Sequence, residues 1–152
     1  TVTSDPDAMC ALWMIGREET PERSAEICVM EVFGRDVGPD VTRVGMGLHP
    51  FGDPAIRDDF SAMAVAIDAR DVHTYSVEWL PGVVRWYVDD RLVRVADQAP
   101  DYPMQLMLDI YAFPREDGIG SLDARAGSGA RFAVRRVRGW RPATGPAARA
   151  PV

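Results

Sequence analysis

Apolar and polar residues alternate with a period of two along much of this chain, and the alternation is interrupted by Gly, Pro and Asp. It is clearest after His73, where Tyr75, Val77 and Trp79 alternate with Thr74, Ser76 and Glu78, as in a strand with one buried face. Pro81-Gly82 and Asp89-Asp90 supply tight-turn chemistry. His73–Trp79, Val83–Val88 and Arg91–Val95 therefore read as a β-meander. The same reasoning predicts strands at Ala11–Ile15, Ala25–Val32, Val41–His49, Ser61–Asp68, Met104–Ile110 and Phe132–Trp140. The Ala content of Ser61–Asp68 would also suit a helix. Gly16–Ser24, Gly34–Asp40 and Pro50–Asp59 read as turns and loops. With no long amphipathic helix, phosphate loop or internal repeat, the pattern predicts an all-β sandwich or barrel. Tyr75, Met104, Met107, Trp79 and Trp86 are its expected core residues, Trp140 a structural one, and His73, Asp89 and Asp90 turn or packing residues.

Composition narrows the function. The chain has 152 residues, 47% hydrophobic and 26% charged, enough for one domain with a core. The apolar run Met63–Ile67 is too short to cross a bilayer, and no leader pattern opens the sequence. A net charge of −6 argues against nucleic acid, which requires a positive surface. Arg131, Arg135, Arg136, Arg138 and Arg141 make one basic stretch, read as the wet face of a terminal strand. Two cysteines, Cys10 and Cys28, make no disulfide framework. His49 and His73 stand alone, so no cluster has zinc spacing, and neither a metal nor a cofactor is expected. From Pro142 the chain turns to Pro, Ala and Gly, giving a domain over 1–141 and a tail over 142–152.

One stretch carries candidate chemistry. Ala25-Glu26-Ile27-Cys28-Val29-Met30-Glu31-Val32 is an apolar strand with two carboxylates five residues apart. A buried carboxylate must be paired, hydrogen-bonded or neutralised, so two in one strand point to general acid/base work.

Ala11-Leu12-Trp13-Met14 followed by Glu26–Glu31 resembles the paired strands of glycoside hydrolase family 16, the laminarinases and other β-glucanases, with their Glu-x-Asp-x-x-Glu signature. His73–Trp79 with Arg85–Asp89 resembles the family's hairpin, Pro103–Ile110 its following strand and Val134–Trp140 its closing one. The resemblance implies a concanavalin A-like β-jelly roll of curved antiparallel sheets with a sugar-binding cleft, here its C-terminal part. It implies retaining hydrolysis or transglycosylation of β-glucans or galactans, outside the cell. Glu26 would be the nucleophile and Glu31 the general acid/base. Trp13 would stack on a sugar, with His49 and Asp109 as further substrate neighbours. The partner would be a polysaccharide or oligosaccharide, with no membrane and no nucleic acid.

Geometry and sequence both qualify this. In a regular strand, residues five apart face opposite ways, so a bulge, as in the laminarinase branch, is needed to restore the parity. Even then the two Cα atoms would stand roughly 13 Å apart at ~3.3 Å per residue, while a retaining pair must bring its carboxyl groups to about 5–5.5 Å. Cys28 replaces the middle Asp of the signature. A thiol between two carboxylates is pushed toward its neutral form and holds Glu26 less firmly than a carboxyl group would. The cleft wall is altered at Leu108-Asp109-Ile110, and Arg135 stands where the family's calcium-associated Asp is expected. Three alternatives follow: a non-catalytic carbohydrate-binding module, a structural jelly roll without a ligand, and a thiol hydrolase using Cys28 with His49 or His73.

Overall fold

The computed structural model describes residues 1–17, 19–113 and 130–141. Its strands are β1 (Ala8–Gly16), β2 (Glu26–Phe33), β3 (Thr42–His49), β4 (Asp59–Val65), β5 (Tyr75–Leu80), β6 (Val83–Val88), β7 (Arg91–Ala96) and β8 (Met104–Ala112). Two single-turn 3-10 helices, Pro21–Arg23 and Gly34–Asp36, flank β2. The strands form a five-stranded antiparallel sheet, β4-β3-β2-β1-β8, and a three-stranded one, β5-β6-β7.

The meander is set by its turns. Gly82 takes a φ of 76°, and Asp89 and Asp90 take φ of 48° and 63°, the left-handed pair that a two-residue hairpin requires. Asp89 also accepts from the Thr74 amide at 2.9 Å and lies 2.6 Å from His73 Nδ1. These residues hold the turn, as the sequence indicates.

The core lies between the sheets. Val44, Met46 and Leu48 of β3, Ile27, Met30 and Val32 of β2, and Val84 and Trp86 of β6 face one another there, all essentially inaccessible. Tyr75, Trp79 and Met104 pack against this cluster. Arg94 of β7 closes the β4 side, bonding Asp59 and Ser61 across the gap. β5 lies over β2 and β7 over β4, so this cover stops short of the other end. Leu106, Leu108 and Ile110 of β8 pair with Met14, Leu12 and Cys10. They share the inner face, yet remain 42–45% exposed.

Several expectations need correction, Trp140 first: expected to be structural, it is 80% exposed. Phe132–Trp140 belongs to no strand. Its ladder is limited to reciprocal bonds between Thr1 and Ala133, 3.0 Å each, because alternation makes a strand only where another strand offers its edge. Its arginines are exposed, but not as one face of a strand. Met107 pairs with Trp13 on the outer face and is not core; along β8 it shares a face with Gln105, Asp109 and Tyr111, opposite Leu106, Leu108 and Ile110. Ser61–Asp68 is a strand, shifted to Asp59–Val65. The tail over 142–152 lies outside the described residues.

Candidate active site

The site is built on an irregularity in β2. Against β1, Trp13 pairs with Cys28 and Leu12 with Met30; against β3, Cys28 pairs with Gly47 and Glu31 with Gly45. Both ladders step over Val29. This extra residue is a β-bulge, and it changes the parity of everything after it. Ile27, Met30 and Val32 consequently point into the core, while Glu26, Cys28 and Glu31 share the outer face. A core residue holds the bulge: the Trp86 indole N–H donates to the Cys28 carbonyl at 2.8 Å.

Neighbouring strands complete the face. Glu26 sits opposite His49, Glu31 between Gly45 and Ala11, and Ala11 in turn opposite Asp109. The Trp13 indole donates to Asp109 Oδ2 at 2.7 Å, which fixes the ring beside the acidic row. On the β3 side the floor is glycine. A Cβ on Gly45 would come within 2.6 Å of the Phe60 ring and 3.2 Å of Glu31 Cβ, so the ring of Phe60 lies over the strand where a side chain would be. Phe60 stacks on His49 at 4.7 Å between centroids, and His49 Nδ1 is 3.2 Å from Asp58 Oδ1.

Electrostatics ties the row together. The Cys28 thiol is fully buried and donates to Glu26 Oε2 across 4.0 Å. Burial pushes it far above the ordinary thiol range, and the charges of Glu31, then Glu26, then Asp58 push it further. It is therefore a neutral hydrogen-bond donor wedged between carboxylates, the opposite of an activated nucleophile. Burial likewise raises the Tyr111 phenol, followed by the charges of Asp109, Glu26 and Glu31. Tyr111 follows Asp109 by two residues along β8 and so shares its face.

All six residues expected at the site, Glu26, Cys28, Glu31, Trp13, His49 and Asp109, thus come together on one face. His73 lies elsewhere, bonded to Asp89 and the Asp68 carbonyl. Sequence reasoning missed Phe60, Tyr111, Asp58 and Phe51, the last set edge-on to His49 at 6.1 Å. The signal for Phe60 was Gly45 and Gly47, whose vacant outer face needs a filler from the adjoining strand.

Two antiparallel sheets with an acidic row across the open face of one define a jelly-roll sandwich of the concanavalin A-like kind. Within that class the chain belongs to glycosyl hydrolases family 16, whose model matches residues 8–117. A β-glucanase of Paenibacillus macerans is 29% identical over 77 residues, 49% of this chain and 31% of that protein. The Bacillus licheniformis β-glucanase structure superposes with a TM-score of 0.61 at 21% identity, over 78% of this chain and 53% of its own. The laminarinase catalytic domain of Thermotoga maritima gives 0.57 at 24%, over 78% and 55%. A Clostridium perfringens endo-β-galactosidase that releases GlcNAcα1-4Gal gives 0.60 at 22%, over 72% and 29%. These structures share the fold, and the chain spans about a third to a half of the relatives it matches.

Proposed function

We propose that this chain carries the catalytic face of a retaining glycoside hydrolase acting on a β-linked glucan or galactan outside the cell. The observation that carries this reading is the bulge at Val29, which turns Glu26 and Glu31 to the same face. Glu26 attacks the anomeric carbon as Glu31 gives its proton to the departing glycosidic oxygen. A glycosyl ester on Glu26 results. Glu31, now a carboxylate, takes a proton from water, and the water oxygen attacks the same carbon and releases Glu26. Trp13, held by Asp109, offers an aromatic face to the sugar beside the scissile bond. The family and the β-glucanase and endo-β-galactosidase relatives support the substrate class.

A second reading, a carbohydrate-binding module without turnover, is favoured by Cys28. Its neutral thiol is a poor substitute for a carboxyl group beside the nucleophile. Release of reducing ends from β-1,3-, β-1,4- and mixed-linkage glucans and galactans separates the two. Turnover is expected in the wild type, to fall at least about a thousandfold in Glu26→Gln, equivalent to ~4 kcal/mol, and to rise in Cys28→Asp. Saturable glycan binding with no turnover in any variant would leave only the binding module.

A further inference from the structure

Phe51 combines a strained backbone with an exposed aromatic side chain. It follows Pro50 at the tip of the loop after β3, with a φ of 44°, a conformation that bulky side chains rarely adopt. Its side chain gains little in return, since Phe51 is 65% exposed. Gly or Asn would occupy this backbone with less strain. Yet the loop is rigidly braced. The Asp53 amide donates to the Pro50 carbonyl at 2.8 Å, and the Gly52 amide to Ser24 Oγ at 2.9 Å. Asp53, itself buried, accepts from the Ala55 amide and from the Tyr102 hydroxyl at 2.8 and 2.6 Å. Tyr102 in turn accepts from the Ala25 amide, one residue before Glu26. Strain kept by a rigid surround, with no gain to the fold, points to a use outside the fold.

The surroundings say what use. Phe51 meets the ring of His49, which stacks on Phe60, and His49 is paired with Glu26. The three rings therefore form a ledge on the β3 side of the acidic row, and Phe51 is its most exposed ring. We propose that Phe51 is a specificity residue that stacks on the C–H face of a pyranose ring and extends the glycan site beyond the scissile bond. A gluco-configured ring with equatorial substituents offers such a face on both sides, and a galacto-configured ring on one. This rests on the glycan-processing reading above and adds a binding residue to it.

Phe51→Gly removes the ring and relieves the backbone together. Binding of β-linked gluco- and galacto-oligosaccharides of increasing length is measured in a Glu26→Gln background, alongside urea unfolding. The expected result is about tenfold weaker binding of long oligosaccharides, a smaller loss for short ones, and a urea midpoint equal to or above that of the parent. Phe51→Trp is expected to keep the affinity. Equal affinity in Phe51→Gly and the parent overturns the ledge while leaving the glycan site standing. A lower urea midpoint overturns the argument that the loop is strained for function. A parent that binds no glycan, with no turnover in the wild type, overturns both readings together.

Discussion

The inner and outer faces of β2 come from the same eight residues, yet they obey opposite rules. Inward, Ile27, Met30 and Val32 belong to the apolar core. Outward, Cys28 is as inaccessible as they are, but what surrounds it is charge. The two cysteines make the contrast sharp. Cys10 sits between Val32 and Ile110 and behaves as a small core hydrophobe. Cys28 sits between Trp13 and Gly47 and feels Glu26, Glu31 and Asp58. Burial alone does not define a core; what a side chain is buried against decides whether it serves stability or chemistry.

Truncation of the inner face tests this most severely. Met30→Ala is expected to cost about 2–5 kcal/mol of stability, read from urea unfolding, while activity per folded molecule is retained. Loss of activity without loss of stability would erase the distinction between the faces. Trp86→Phe probes the bond from the core to the bulge. It leaves the Cys28 carbonyl without its donor, at about 1–3 kcal/mol, and is expected to lower activity per folded molecule where Met30→Ala does not. Equal activities in the two variants would mean that the bulge holds without Trp86.

The smallest effect is on alkaline stability. Burial raises both thiols, so the folded chain keeps protons that the unfolded chain releases above about pH 8.5. The stabilisation from each is fully present below that value and declines as pH rises past it, by up to about 1.4 kcal/mol per pH unit and thiol. The raised phenols of Tyr75 and Tyr102 add to the slope above about pH 10. Unfolding measured between about pH 8.5 and 10 should therefore show a shallower slope in Cys28→Ala. An unchanged slope would show that Cys28 keeps no excess proton.

The residue pattern made the meander legible, because alternation there coincides with turn chemistry at Pro81-Gly82 and Asp89-Asp90. It also marked the carboxylates of Glu26 and Glu31 as anomalous in an apolar strand. It does not reveal the bulge, since parity alone separates the two acids; the family resemblance supplied that. Phe132–Trp140 misleads for a different reason: alternation reports a capacity for pairing, and pairing depends on what lies alongside. Phe51 was hidden because nothing in Pro-Phe-Gly-Asp-Pro discloses a left-handed aromatic residue. Asp109 was found, but its bond to Trp13 required the register of two strands distant in sequence.

The irregularity in β2 can also be put in the language of reading frames. A strand is read two letters at a time, one for each face, and Val29 is a single inserted letter. Both flanking ladders already run as though it were absent, Cys28 with Gly47 and Glu31 with Gly45 on one side, Trp13 and Leu12 in unbroken succession on the other. Removing Val29 would therefore leave Glu31 and Val32 on the faces they now occupy, whereas an extra letter elsewhere in the strand would exchange them. The spacing of the two acids along β2 is thus open to change by one residue without rewriting either face.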